Sequence, residues 1–314
     1  MTGRLDDLDV LDTRPDPGHI LYALPFRDAT DHQILDVLAI NWADGQGLLE
    51  DPGARERLSG ARVGDLIARS YPGLRTDRAA TLAGWFAWLF VIDDYHDRSE
   101  DLARNDQEER TRLSRGLAHL WHGVAPRQSS WWRTRFLSHV GDFLTAFRYE
   151  DINRRKGCVP SLGAYMQLRR ASGGITPCLD LLEYATGLEV PPALHDTGML
   201  RTMFDNAADV VVWVNDVVSL KKELAMGETN NGVLVVQREL DLSLQEAVRH
   251  VYGRVARDIR EFLEAERELR RACAYGAEVS DGERAALLSL IIGMKAWMRG
   301  NLDWSTRAER YANP

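Results

Sequence analysis

Apolar side chains recur along the chain with the spacing of an α-helix. Near the start of the chain, Ile34, Val37, Leu38 and Trp42 fall at positions i, i+3, i+4 and i+8, which places them on one face of a helix. The same periodicity returns at Leu113, Leu117, Leu120 and Trp121 and at Phe136, Val140, Phe143, Leu144 and Phe147. We therefore expect amphipathic helices in all three segments.

Helical periodicity also dominates the second half of the chain. Amphipathic stretches cover residues 161–171, 176–188, 196–226, 232–239, 243–275 and 280–306. Residues 210–214 are mostly β-branched, which by itself favours a strand. They lie within a long helical register, however, so we predict a buried helix segment there.

Chain-breaking residues divide these segments but do not separate two domains. Glycine and proline cluster at 45–47, 51–53, 72–73, 157–160, 173–174 and 191–192, always in short runs. We see no long linker and no internal repeat. The pattern predicts an all-α fold with one catalytic domain, an α-helical barrel or bundle over residues 21–314. Residues 1–20 form a polar, partly flexible lead-in to it.

Composition narrows the choice of partner and location. The chain of 314 residues is 45% hydrophobic and 27% charged, as in ordinary soluble proteins, and its net charge of −8 gives no basic footprint for nucleic acid. An anionic ligand would therefore need bridging metal ions. Residues 1–17 lack the apolar segment of a secretory signal, and the apolar run at 85–92 is far short of the ~20 residues of a membrane span. With three scattered cysteines, we expect a cytoplasmic protein without membrane insertion.

One candidate site is an aspartate-rich helix end. Aromatic and aliphatic residues lead into Asp93, Asp94 and Asp97, and the first and last of these are four residues apart on one helix face. Carboxylates this close repel one another unless a cation lies between them, and hard oxygen ligands suit Mg²⁺. The alternative is an acidic helix end in contact with solvent.

A second candidate site lies on one stripe of a later helix. Asn215, Ser219 and Glu223 follow one another at four-residue intervals, so an amide, a hydroxyl and a carboxylate oxygen project together. These oxygens could bind a further Mg²⁺, and neighbouring Lys222 could reach a metal-bound phosphate. The alternative is a hydrophilic helix face with Lys–Glu pairing.

Together, the two motifs resemble those of the class I terpene synthases, especially the bacterial ones. The first reads D-D-x-x-D from Asp93, and the second reads N-D-x-x-S-x-x-K-E from Asn215, which follows 122 residues later. The resemblance implies that the motifs face each other across the mouth of an all-α barrel. It also implies that they bind three Mg²⁺ ions, which hold the diphosphate of an isoprenoid substrate.

Two further segments extend the resemblance. Arg169 precedes Asn215 by 46 residues, the place of the family's diphosphate-sensing arginine, with Ser172 at the linker position and Gly173 at the effector position. Adjacent Arg170 stays an alternative sensor, and serine departs from the acidic or threonine linker of the family. The resemblance also implies that the Arg-Tyr pair near the C-terminus closes over the diphosphate. That pair is Arg310 and Tyr311.

Aromatic residues are candidates for the wall of a pocket that tolerates carbocations through cation–π attraction. Phe90 and Phe86 precede Asp93 on the same helix face, and Trp304 precedes the C-terminal pair. Ordinary core packing is the alternative for all three.

The resulting expectation is an enzyme, a carbon–oxygen lyase that ionises an isoprenoid diphosphate and cyclises or rearranges the carbocation. Farnesyl diphosphate is favoured over geranylgeranyl and geranyl diphosphate by the resemblance alone. The rivals are a diterpene synthase, a prenyltransferase, a diphosphate hydrolase and a non-catalytic isoprenoid-binding protein. A missing second D-D-x-x-D motif argues against the prenyltransferase. The resemblance leaves the choice between a monomer and a homodimer open.

Overall fold

The computed structural model describes residues 11–51, 53–97, 106–228, 230–275 and 279–308, and within them every regular element is helical. The prediction of an all-α fold is confirmed for this part of the chain. Two short 3₁₀ segments lie at Ile20–Ala23 and Ala125–Arg127. The α-helices are α1 His32–Gly45, α2 Ala54–Gly60, α3 Val63–Ser70, α4 Thr76–Asp97, α5 Asp106–Val124, α6 Ser130–Lys156, α7 Leu162–Ser172, α8 Ile175–Thr186, α9 Pro192–His195, α10 Gly198–Ala225, α11 Gly232–Leu240, α12 Leu244–Tyr275 and α13 Asp281–Ser305.

Helix α4 is apolar on almost every side because it runs through the interior. It packs against α1, α3, α5 and α8, and Trp85, Phe86 and Trp88 are almost completely buried. The indole nitrogen of Trp88 donates to the carbonyl of Leu113 on α5 (2.9 Å), which satisfies a buried donor. Even so, no helix in the described residues combines the length and hydropathy needed to cross a bilayer.

Helix α10 contains the β-branched run and confirms the prediction of a buried helix there. Residues 210–214 are helical and buried, with α12 and α13 packed against α10. Thr197 caps the helix start, since its hydroxyl accepts from the backbone N–H of Leu200. Burial against neighbouring helices outweighs the modest preference of valine for strands.

Helix α1 forms where the apolar spacing predicts it, but only Leu38 and Trp42 of the apolar stripe pack against the core. Ile34 and Val37 are 62% and 57% exposed, whereas Leu35, Ala39 and Ala43 are buried. Both faces of this helix carry apolar side chains. Trp42 packs on α4, where a Cβ on Gly84 would lie 2.8 Å from its ring, and α3 and α4 are the main neighbours of α1.

The described part of the polar lead-in packs against α12. The backbone N–H of Asp12 donates to the side chain of Gln245 (3.0 Å), and the hydroxyl of Tyr252 donates to the carbonyl of Thr13 (2.7 Å). A ring nitrogen of His19 lies 2.9 Å from the carbonyl of Tyr252. These contacts fix residues 11–19 along the outside of the helical bundle.

Candidate active site

A cavity of about 230 Å³ lies inside the bundle, with α3, α4, α6, α7, α8, α10 and α13 around it. Apolar residues form much of its lining. Polar and charged side chains of α4, α6, α7 and α10 also border it, together with the segment after α10. Of the candidate site residues, those that border the cavity are Phe86, Phe90, Asp93, Arg169, Ser172, Gly173, Asn215, Ser219, Lys222, Glu223 and Trp304.

The aspartate-rich motif lies at the C-terminal end of α4, where the helix reaches the cavity. Asp93 borders the cavity. Asp94 lies beside Arg57 of α2, with 3.7 Å between a carboxylate oxygen and Nε. Asp97 is the last residue of α4, and its side chain is outside the described residues.

The second motif places all three of its oxygen donors on the cavity. Asn215, Ser219 and Glu223 border it from successive turns of α10. The hydroxyl of Ser219 is buried and forms no hydrogen bond of full geometry among the described residues, although it lies close to the carboxyl of Glu223. A buried hydroxyl without a hydrogen bond of full geometry is costly, and a ligand would remove that cost.

Glu223 is a buried carboxyl with too little positive charge around it. One carboxylate oxygen accepts from the side-chain amide of Asn231 (2.8 Å). Burial, with the negative charge of Asp216 as the next cause, raises the pKa of Glu223 to about 7. A cation bound here would reverse this effect, because it favours the ionised carboxylate.

The oxygen donors on α10 could bind a hard divalent cation only as a mixed set of amide, hydroxyl and carboxylate. Among the described residues, no three His, Cys, Asp or Glu side chains cluster closely enough to hold a metal by themselves. The amide, hydroxyl and carboxylate of Asn215, Ser219 and Glu223 offer one oxygen type each. Such a set fits Mg²⁺, which keeps waters and shares substrate phosphates instead of needing an all-protein cage.

Arg169 points toward the second motif from α7. Its Nε donates to Asp216 (2.9 Å) and its Nη2 donates to the side-chain oxygen of Asn215 (2.9 Å). Burial opposes the charged guanidinium, but Asp216, Tyr165, Glu150 and Glu223 together outweigh this effect, so the pKa of Arg169 is raised well above its usual range. The hydroxyl of Tyr165 donates to the other oxygen of Asp216 (2.6 Å). Arg169 is therefore a fixed positive charge at the cavity.

Arg170 lies outside the cavity, although it adjoins Arg169 in sequence. Its guanidinium makes a bidentate contact with Asp209 (2.7 and 2.8 Å) and a further ion pair with Asp205 (3.0 Å). All three side chains border a separate polar depression on the surface. Of the two arginines that the sequence left open, only Arg169 reaches the cavity.

The break between α7 and α8 brings backbone close to α10. A Cβ on Gly173 would lie 2.6 Å from Cγ1 of Val212, so only glycine fits without a shift. Gly174 has a φ of 64°, in the region that favours glycine. The hydroxyl of Ser172 donates to the carboxylate of Glu150 on α6. Glu150 also borders the cavity.

Aromatic rings form both the cavity wall and part of the core. Phe86 stacks on Trp297 of α13, with 5.8 Å between ring centroids, and Phe90 contacts Trp304 edge-on at 5.7 Å. The indole nitrogen of Trp304 donates to the carbonyl of Ala61 (2.9 Å), which fixes this ring. Phe86, Phe90 and Trp304 therefore line the cavity and also pack in the core.

Arg310 and Tyr311 lie outside the described residues, so their predicted role rests on the sequence alone. Sequence reasoning missed Glu150, Asp216 and Asn301. Asp216 was within reach as the second letter of the N-D motif, whereas no local pattern marks the other two.

The family comparison agrees with this geometry. Residues 84–261 match the model of terpene synthase family 2, C-terminal metal binding, and this stretch runs from α4 through both candidate metal motifs into α12. The chain belongs to this family. It is a terpene synthase, a lyase with a divalent-metal-binding domain, and the class predicted from the sequence is confirmed.

Curated relatives carry the same kind of name. The chain is 32% identical over 299 residues to a (+)-T-muurolol synthase of Roseiflexus castenholzii, described as cyclising (2E,6E)-farnesyl diphosphate, with 89% of each chain covered. It is 26% identical to a germacrene A synthase of Nostoc punctiforme, with coverage of 92% and 94%.

Solved structures agree on the fold. An α-eudesmol synthase superposes with a TM-score of 0.81 at 22% identity, covering 94% of this chain and 99% of that one. A linalool/nerolidol synthase of Streptomyces clavuligerus in complex with 2-fluorogeranyl diphosphate superposes with a TM-score of 0.77 at 23% identity. The match covers 89% of this chain and 100% of that one. At these identities the likeness establishes the fold alone.

Proposed function

We propose that this terpene synthase ionises farnesyl diphosphate and cyclises or rearranges the C15 carbocation to a sesquiterpene, releasing diphosphate. The observation that carries the proposal is the meeting of two distant motifs at one cavity. Asp93 of α4 and the stripe of Asn215, Ser219 and Glu223 on α10 border the same space. The printed substrate of the (+)-T-muurolol synthase supports the C15 chain length.

The metal-binding roles follow from the donor types. Asp93, Asp94 and Asp97 would serve one side of the mouth, and the stripe on α10 would serve the other, with three Mg²⁺ ions between protein and substrate. Bound Mg²⁺ would neutralise the charge that develops on the leaving diphosphate. The buried hydroxyl of Ser219 and the raised pKa of Glu223 support this assignment.

The positive side chains would hold the diphosphate and stabilise it as the C–O bond breaks. Arg169 and Lys222 border the cavity beside the second motif, and Arg310 and Tyr311 would add further contacts by the family resemblance. Fixed donors aimed at developing charge are effective because they need no reorganisation during the reaction. Ser172 and Gly173 would connect Arg169 to the cavity wall at the α7–α8 break.

The apolar part of the cavity would protect and fold the carbocation. Phe86, Phe90 and Trp304 present aromatic rings, which attract cations and exclude water. No protein nucleophile is required, since the substrate carries its own leaving group.

The direct test is to incubate purified protein with C10, C15 and C20 diphosphates, with Mg²⁺ or with EDTA, and to identify products by gas chromatography–mass spectrometry. We expect a metal-dependent C15 product. A C20 product alone would instead establish the diterpene alternative. Folded protein that forms no product from any substrate would favour the non-catalytic isoprenoid-binding alternative.

We propose further that the enzyme works in the cytoplasm, which its three free cysteines support. A homodimer is the alternative to a monomer, and light scattering after size-exclusion chromatography separates the two by mass.

A further inference from the structure

Asn301 is a polar residue in an aromatic part of the cavity wall. It lies in α13 between Trp297 and Trp304, four residues after the first and three before the second. All three side chains border the cavity. Asn301 is only 3% exposed, so its amide is held in the interior instead of reaching bulk solvent.

The orientation of this amide is fixed by α10. Its Nδ2 donates to the backbone carbonyl of Val211 (3.2 Å). Because nitrogen and oxygen lie on opposite branches of the amide, Oδ1 is turned away from that carbonyl. Among the described residues, no hydrogen bond is formed to Oδ1, and Oδ1 is not one of the enclosed side-chain atoms that lack a partner, so it keeps some accessible surface. It is therefore an acceptor available to the contents of the cavity.

The hydrocarbon part of an isoprenoid cannot satisfy this acceptor. It has no hydrogen-bond donor, so a substrate that fills the cavity would leave Oδ1 buried and unpaired unless a water stayed with it. A water that donates one hydrogen bond to Oδ1 keeps a lone pair directed into the cavity. That lone pair can attack a carbocation.

We propose that Asn301 holds a water molecule that adds to the final carbocation, so that the principal product is a terpene alcohol. This inference rests on the proposed function. The water lone pair forms a C–O bond to the cationic carbon, and the resulting oxonium loses a proton to the released diphosphate. Asn301 stays neutral throughout, because a carboxamide accepts a hydrogen bond but not the proton.

The test is the product of the wild-type enzyme and of two variants in H₂¹⁸O. The wild type yields mainly an alcohol that carries ¹⁸O. Asn301→Leu keeps a similar volume without the acceptor and lowers the ratio of alcohol to hydrocarbon about ten-fold or more. Asn301→Asp keeps an oxygen at the same place, with burial favouring its neutral acid, and retains the alcohol.

Three outcomes would overturn the proposal while leaving the synthase function intact. They are wild-type products without ¹⁸O, an unchanged alcohol ratio in Asn301→Leu, and loss of the alcohol in Asn301→Asp. An amide with a merely structural role predicts reduced stability in Asn301→Leu with an unchanged product ratio.

A second measurement applies even if Asn301→Leu is inactive. A crystal structure of the wild type with Mg²⁺ and an unreactive fluorinated farnesyl diphosphate should place an ordered water about 2.8 Å from Oδ1. The absence of water there with the analogue bound would also overturn the proposal. If no diphosphate gives any product, the proposed function itself fails.

Discussion

Two buried regions of the molecule differ in how the charges of their side chains are balanced. Between α6 and α8, Arg135 donates to Asp180 (2.9 Å) and to Glu183, and it also contacts a ring nitrogen of His195 (2.6 Å). His139 binds the second oxygen of Asp180 (2.6 Å). Each carboxylate of this network is thus matched by a basic side chain of the chain itself.

Charge is balanced only in part at the cavity mouth, which Asp93 of α4 borders together with the stripe of Asn215, Ser219 and Glu223 on α10. Arg169 is engaged by Asp216, and Glu223 has a pKa raised to about 7 by burial and by the same aspartate. The hydroxyl of Ser219 forms no hydrogen bond of full geometry in the described residues. The comparison teaches that charge balanced internally stabilises the fold, whereas charge left unbalanced at a cavity is completed by ligands.

The largest expected effect on stability lies in the network between α6 and α8. Arg135→Met leaves Asp180 and Glu183 buried without their shared cation. The free energy of unfolding should fall by about 3–5 kcal/mol, as measured by urea denaturation. Arg148→Met on the same helix removes an exposed arginine and should change it by less than about 0.5 kcal/mol. Equal effects of the two variants would mean that the network does not stabilise the fold.

The next effect concerns catalysis at the mouth. Glu223→Gln keeps the shape of the side chain but removes the charge that we propose binds Mg²⁺, so kcat/KM for farnesyl diphosphate should fall about 10²–10³-fold. Stability should hold or rise, because a buried and poorly compensated carboxylate is lost. Glu268→Gln, at an exposed position of α12, is the control. A Glu223→Gln enzyme with normal kcat/KM would contradict the assignment of this ligand.

A steric prediction sharpens the comparison at the α7–α8 break. Gly173→Ala should lower the unfolding free energy by about 1–3 kcal/mol, because the new methyl group overlaps Val212. Combining it with Val212→Ala should recover part of that loss, and a double-mutant cycle measures the coupling. Strict additivity would show that the two positions do not press on each other.

The smallest effect is electrostatic and lies outside both regions. Burial raises the pKa of Asp258 to about 6, although Arg254 favours the charged form. The folded state therefore binds a proton more tightly than the unfolded state does. The stability that this gives is present below pH 4 and is lost as the pH rises through 6. Asp258→Asn should remove most of that pH dependence, which amounts to roughly 1.4 kcal/mol for each unit by which the pKa is raised. Parallel stability profiles of wild type and variant from pH 4 to 7 would refute this.

The sequence predicts the helices, and the meeting of Asp93 with the stripe on α10 at one cavity, for a physical reason. Residues that act together within one motif lie on one helix face, and their spacing alone brings them together. Even the β-branched run of α10 is recognisable, because the register continues on both sides. In α1 only Leu38 and Trp42 of the apolar stripe reach the core, because apolar residues occupy both sides and the packing of α3 and α4 decides which of them are covered.

Contacts between distant helices could not be predicted in this way. Glu150 meets Ser172 across α6 and α7, and Asn301 meets Val211 across α13 and α10. These pairs depend on how the helices pack, and a single asparagine or glutamate carries no local signal of its neighbour. The pairing of Arg169 with Asp216 also needed the structure.

The central claim, that ligands complete the charge at the mouth, is tested most directly by thermal unfolding with Mg²⁺ and inorganic diphosphate. Together they should stabilise the wild type, by about 2.7 kcal/mol at 100 times the dissociation constant, whereas either one alone should have little effect. Glu223→Gln should lose most of this joint stabilisation, and Glu268→Gln should keep it. A wild-type Tm that does not respond to the pair would contradict the account.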